Sequence, residues 1–269
     1  MKNTLLLLGF SLFMFSCSSD DSGNDNVTST SDFLPLNAGN YWVYDVESDA
    51  AGGSGRDSLY VANDTVINGN TYKKFKTLNM SWGFYSSALA NNGVRKVEDR
   101  LVLSGSAAVN FSEELPFSLD VTDLTIFREN AANNQVLGSV SDVLSQVYDE
   151  NTTLEFDYTL TSTAKENLSS YTAGGVQYNN VRSVEIKLRM EVTANVEFSG
   201  TSFPVNIMPE QDIIVSTQYY AENIGVVHVV TDFEYVLSNV SQLPIPIDLP
   251  LPSSAAVHQE EILDVYVAE

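Results

Sequence analysis

From Val184 onward the chain alternates without a break. Val184, Ile186, Leu188, Met190, Val192, Ala194, Val196 and Phe198 are apolar, with Glu185, Lys187, Arg189, Glu191, Thr193, Asn195 and Glu197 between them. A period of two is the signature of a half-buried strand, one face in a core and the other in water. At ~3.3 Å per residue such a run would reach about 50 Å, far beyond an ordinary strand, so it is expected to curve strongly or carry a bulge. The alternation recurs at Leu154, Phe156, Tyr158 and Leu160, and again at Val227, Val229, Thr231, Phe233, Tyr235 and Leu237. One-sided burial implies antiparallel pairing. Asn68-Gly69 is a tight-hairpin dipeptide, Gly174-Gly175 introduces another strand, and Ser199-Gly200 follows the long run. Strands joined in this way form a meander. The expected fold is all-β or mainly β, with curved antiparallel sheets arranged as a half-barrel or a sandwich.

One stretch breaks the pattern. Val136, Leu137, Val140, Val143, Leu144, Val147 and Tyr148 fall at helical spacing, with Asn133 and Asn134 upstream as caps. This spacing predicts one short helix over 134–148. Its β-branched residues and Gly138 leave an irregular strand pair as the competing reading. Further on, the four prolines of Leu243-Pro244-Ile245-Pro246-Ile247-Asp248-Leu249-Pro250-Leu251-Pro252 forbid helix and remove ladder donors, so an extended segment is expected at the domain edge. Glu261 to Val267 reads as a final strand.

The first residues set a different kind of constraint. Met1-Lys2 precedes an apolar run from Leu5 to Phe15, too short for a permanent membrane span, and Ser16-Cys17 follows with the only cysteine of the chain. A lone thiol in an oxidising compartment has no partner for a disulfide. The segment resembles the signal of bacterial lipoproteins, although Met14 and Phe15 are bulkier than that signal's usual residues. The resemblance implies cleavage before Cys17 and acylation of its thiol. Ser18-Ser19-Asp20-Asp21 is similar to the surface-export signal of Bacteroidota-type lipoproteins, which implies an outer-membrane lipoprotein displayed at the cell surface; a periplasm-facing leaflet is the alternative. Residues 18–32 are almost wholly Ser, Asp, Asn, Thr and Gly and cannot bury enough surface to fold. The expected organisation is therefore a signal peptide at 1–16, an acylated Cys17 and acidic tether at 17–32, a β domain at 33–241, and a proline-rich segment with a last strand at 242–269, packed on the same domain.

Phe33-Leu34-Pro35-Leu36-Asn37-Ala38-Gly39-Asn40-Tyr41-Trp42-Val43-Tyr44 resembles an opening motif of uncharacterised bacterial lipoproteins, and Tyr219 to Val227 resembles their closing hairpin. No activity transfers with that likeness. Its residues read as structure, with glycines for turns and Trp42, Tyr44 and Tyr219 for core area.

Composition supports strands: 13 Tyr and 13 Phe accompany a charged fraction of only 18%. The net charge of -22 repels nucleic acid, so no nucleic-acid partner is expected. Catalytic constellations are scarce. There are two histidines, and no GxSxG elbow, phosphate loop or HExxH sequence. No catalytic, cofactor or metal residue is assigned. His228 and Asp232 share a strand face but stand about 13 Å apart by strand rise, too far for a direct pair. Glu113, Glu114, Asp120 and Asp123 read as solvated loop acids, and Trp82 and Tyr85 as exposed aromatics suited to a glycan platform. Asp57-Ser58-Leu59 and Asp64-Thr65-Val66 are similar to the Bacteroidota O-glycosylation signal, which implies Ser58 and Thr65 as acceptors.

The functional expectation is a membrane-anchored, non-enzymatic interaction or ligand-binding module. Its partners would be the membrane through Cys17 and an extracellular glycan, a protein or an apolar ligand. The alternatives are a carrier of lipid or another apolar ligand in a lipocalin-like cup, and an extracellular glycan hydrolase.

Overall fold

A computed structural model describes residues 31–50, 53–112, 115–239 and 252–269, and residues 31–269 form one compact unit. The strands are β1 (Tyr41–Ser48), β2 (Ser54–Ile67), β3 (Asn70–Thr77), β4 (Gly93–Val97), β5 (Arg100–Ser112), β6 (Leu115–Arg128), β7 (Val136–Val147), β8 (Thr152–Ala173), β9 (Val176–Phe198), β10 (Thr201–Ala221), β11 (Gly225–Val236) and β12 (Ser254–Val267); a short helix, α1 (Phe84–Leu89), follows β3. They form a single antiparallel sheet in the order β6-β5-β4-β3-β2-β1-β12-β11-β10-β9-β8-β7, nearly closed into a barrel. The first and last strands pair in the middle of the sheet. The two edges, β6 and β7, are consecutive in sequence and meet at a seam. There a Cβ added to Gly138 would come within 2.9 Å of Leu124 Cδ1, and the Ser162 hydroxyl donates to the Thr125 carbonyl. This is a meander throughout, as the hairpin signals implied.

The alternation of β9 behaves as expected from Val184 to Val196, where Val184, Ile186, Leu188, Met190, Val192, Ala194 and Val196 are all buried, whereas Phe198 at the end of the strand is exposed. Its 23 residues are accommodated by register shifts against both neighbours: one against β8 between Ala164 and Asn167, and three against β10 between Asn206 and Ile214. These irregularities bend the long strands around the core. The far end of the β8–β9 hairpin lies against the outer side of β10–β12: Tyr171 stacks on Tyr219 with ring centroids 4.1 Å apart, and a Cβ on Gly174 would approach Ile262 to 2.7 Å.

Residues 134–148 form no helix. Val136–Val147 is strand β7, paired with β8 along its length. Val136, Val143 and Val147 are exposed, so the helical spacing came from apolar residues on both faces of a strand. The ladder with β8 satisfies backbone groups that β-branched residues and Gly138 would have served poorly in a helix. The final strand is longer than expected and begins at Ser254. Residues 1–30, with Cys17 and most of the tether, and most of the proline-rich segment lie outside the described residues.

The opening and closing motifs meet. Trp42 Nε1 donates to the Ile224 carbonyl at 2.6 Å, and the Tyr44 hydroxyl donates to the Val226 carbonyl at 2.8 Å. Gly225 has φ +115°, and a Cβ there would come within 2.8 Å of Trp42 Nε1, so backbone conformation and close approach both demand glycine. Phe33 and Leu34 are buried beside this junction, Phe33 packing on Phe127 and Phe127 on Tyr220.

Candidate ligand site in the barrel lumen

Helix α1 has no side chain of its own capping its N-terminus. Its first amides are satisfied from the barrel wall instead. Asp57 on β2 accepts from the Trp82 amide at 2.9 Å and from the Gly83 amide at 2.7 Å. On β12, Gln259 Oε1 accepts from the Phe84 amide at 2.7 Å, and Glu261 accepts from the Tyr85 amide at 2.6 Å, the Ser86 amide at 3.2 Å and the Ser86 hydroxyl at 2.8 Å. A Cβ at Gly83 would fall 2.1 Å from the Glu261 carboxyl carbon, so this docking requires glycine. Glu261 is 1% exposed. Burial pushes its pKa up to about 7, against the lowering effect of the Tyr85 and Ser86 hydrogen bonds and with a further upward push from Asp57.

Docked in this way, α1 fills part of the lumen and leaves a cavity of about 70 Å³ beside it. Two apolar clusters meet there. Leu124, Ile126 and Ile186 belong to the one around Trp42 and Tyr44, and Leu119, Leu188 and Ile214 to the one between β8 and β10. The cavity also touches Tyr85, Asn92, Ser106 and Gln218, and none of its lining residues is charged. The Asn92 side chain is fully engaged: its Nδ2 donates to the Ala88 carbonyl at 2.7 Å and the Ser106 carbonyl at 2.8 Å, and its Oδ1 accepts from the Ser106 amide at 3.0 Å. Gln218 Oε1 accepts from the Tyr220 hydroxyl at 2.8 Å. The Tyr85 hydroxyl is buried, with the Tyr44 side chain beside it. The ring of Tyr44 meets that of Tyr85 edge-on; the Tyr44 hydroxyl donates to the Val226 carbonyl, and its oxygen is left to interact with the Tyr85 hydroxyl. Burial raises the Tyr85 pKa well above 10, with Tyr44, Tyr220 and Glu261 adding to the effect, so the group stays a neutral phenol and a donor.

The residues singled out from the sequence are placed elsewhere. Ser58 is half-buried in an outer groove of about 330 Å³ with Tyr41, Tyr60 and Leu78, while its neighbour Asp57 is committed to α1. Thr65 is half-buried, and the adjoining Asp64 is exposed and paired with Lys73. Asp120 is exposed. Asp123 is paired with Arg95 at 2.9 Å, whose hydrogen bonds hold its pKa below the usual carboxylate range against the effect of burial. Glu113 and Glu114 lie outside the described residues. Trp82 is 54% exposed but Tyr85 only 2%, so the two form no common outer platform; the α1 turn sends one to solvent and the other into the lumen.

His228 makes no direct pair with Asp232. Its Nε2 meets Glu260 at 3.1 Å and its Nδ1 the Tyr171 hydroxyl at 2.6 Å, while Asp232 bonds His258 across the β11–β12 ladder at 2.7 Å. Glu260 also approaches His258, at 3.4 Å, and so links both histidines of the chain. Hydrogen bonds to the Asp232 and Glu260 carboxylates raise the His258 pKa. Among the described residues no group of three or more His, Cys, Asp or Glu side chains is placed to hold a metal ion.

Sequence reasoning missed Glu261 and placed Tyr85 on the surface, where the structure buries it. A signal for the acids was present: Asp57 is in phase with Leu59 and Val61, and Glu261 with Leu263, so each carboxylate occupies an inward strand position. No known family model matches the chain, and neither a curated protein nor a solved structure is detectably similar to it.

Proposed function

We propose that this chain is a membrane-anchored lipoprotein, tethered through Cys17 and displayed at the bacterial surface, whose barrel is a binding module for a small apolar molecule held in the lumen. The observation that carries the ligand reading is the cavity between α1 and β6, β8, β9 and β10, with its apolar lining. A concave, mostly apolar space with few polar groups is the usual form of a small-molecule site. At about 70 Å³ it falls well short of the roughly 300–1,000 Å³ of sites that enclose drug-sized ligands. That size favours a small ligand over a complete lipid.

Two measurements test the reading. In the native host, Cys17→Ala is expected to move the protein from the membrane to the soluble fraction; unchanged membrane retention would contradict the anchor. Native mass spectrometry of protein taken from its own host is expected to show a small-molecule adduct that is absent from Ile186→Trp, in which the added ring fills the cavity. Wild-type protein that is free of adduct in every preparation would contradict the ligand reading.

The outer surface favours a second reading. Leu78, Met80 and Trp82, alternate residues of the β3–α1 loop, are all exposed, with Met80 at 91%. Exposed apolar residues grouped in this way suit contact with a partner protein or a glycan.

A further inference from the structure

We propose that the free edge of β7 takes up an extended, basic segment of a partner protein, which adds to the sheet as a further strand and presents Lys or Arg side chains to Asp120 and Asp142. Four observations lead there, independently of the lumen.

The first is that β6 leaves this edge uncovered. It crosses the inner face of the sheet instead: Leu119 shares a buried cluster with Leu154, Phe156 and Tyr158 of β8, and the Thr125 carbonyl accepts from the buried Ser162 hydroxyl of the same strand. Among the described residues no backbone hydrogen bond joins β6 to β7.

The second is the direction of the free groups. The Tyr148 amide donates to the Thr152 carbonyl at 2.9 Å, so the β7 residues in phase with it turn their backbone groups toward β8. The Val143 amide is out of that phase and donates to the Asp142 carboxylate at 2.8 Å. The register is regular from Gly138 to Val147, so the backbone groups of Ser139, Ser141, Ser145 and Val147 point the same way as those of Val143. They line an edge of about 30 Å.

The third is the lack of protection. An exposed edge is ordinarily blunted by proline, lysine or a bulge. Ser139, Ser141, Val143, Ser145 and Val147 are all exposed, and the stretch from Gly138 to Val147 holds no proline, lysine or register shift. Its one guard is the Asp142 carboxylate over the Val143 amide, which a cation would draw away.

The fourth is charge, which selects the occupant. Asp142 stands opposite Tyr158 in the ladder. Burial raises the Tyr158 pKa, and the charges of Asp142 and Asp120 push it further, so both acids lie near that side chain, beside the edge. Neither of them, nor Glu155 or Asp157 on β8, has an ion pair among the described residues. A second copy of this chain, itself at a net charge of -22, would bring the same acids to the edge and be repelled. A basic strand is attracted, with main-chain hydrogen bonds for affinity and alternate side chains for selection.

The probe is a blocked octapeptide of alternating lysine and valine, with an octapeptide of alternating glutamate and valine as control. Both would be titrated into the full chain bearing Cys17→Ala, following amide hydrogen exchange by NMR. The lysine peptide is expected to slow exchange at Ser141 and Ser145 by about tenfold or more, and the glutamate peptide to leave it unchanged. Ser141→Pro removes an edge donor that no ladder bond uses, and is expected to abolish binding with the melting temperature unchanged. Asp142→Lys leaves the backbone intact and is expected to weaken binding of the lysine peptide about tenfold. Binding that leaves the Ser141 and Ser145 amides unprotected would mean general attraction to an acidic surface and would overturn the proposal. Equal protection by the glutamate peptide, or undiminished binding to Asp142→Lys, would do the same. A dimer of the chain alone in sedimentation, with these amides already protected, would assign the edge to a second copy instead.

Discussion

Glu261→Ala should destabilise the domain by about 4 kcal/mol in denaturant unfolding, because it strips an acceptor from the Tyr85 amide, the Ser86 amide and the Ser86 hydroxyl where no water can replace it. Its pH dependence is equally diagnostic. The folded-state pKa of about 7 lies above the ordinary 4.5, so the folded form holds an extra proton between those values. The contribution to stability is complete below pH 4.5 and is lost as pH rises through 7. A shift of this size corresponds to about 3 kcal/mol. Glu261→Gln cannot ionise, so the difference between wild type and Glu261→Gln should change by about that amount between pH 4.5 and 8. A flat difference, or an alanine variant as stable as wild type, would mean that α1 is not held by this carboxylate.

Trp42→Ala should cost about 4 kcal/mol, within the range for removal of a buried aromatic side chain. Trp42 is 1% exposed, stacks on Phe75, covers Gly225 and donates to the Ile224 carbonyl, so it ties β1 to the β10–β11 turn. Trp42→Phe keeps most of the area and loses the donor, and should cost about 1–2 kcal/mol, the penalty for an orphaned carbonyl. Equilibrium unfolding of both variants checks the ranking. Equal losses would assign the effect to the lost donor rather than to packing.

The barrel was legible in the chain to the extent that burial is one-sided. Where one face meets the core and the other meets water, as in β9, the side-chain period reports the strand directly, and Gly174-Gly175 and Ser199-Gly200 mark its ends. Strand β7 misled because it lies at the seam and has apolar residues on both faces, which destroys the period. Helix α1 left no trace, since six residues are too few to show a periodicity and its caps come from β2 and β12, far away in sequence. The lumen could not be read at all. It exists because two apolar clusters meet without filling the space between them, a property of how side chains from α1, β6, β8, β9 and β10 pack together. Only the out-of-place acids, Asp57 and Glu261, hinted that something inside the barrel needed acceptors.

This arrangement links the fold to the proposed role. The carboxylates that dock α1 also place Tyr85 at the cavity, so the stability of the helix and the geometry of the site share the same residues. A change at Glu261 should therefore alter ligand binding even though Glu261 does not line the cavity.

The central claim is that the lumen beside α1 holds real, accessible apolar space. Crystals of the domain pressurised with xenon test it most directly: a xenon atom is expected among Leu124, Leu160, Leu188 and Tyr85, and to be absent from Ile186→Trp. A lumen that takes up no xenon while the gas binds elsewhere would contradict the account.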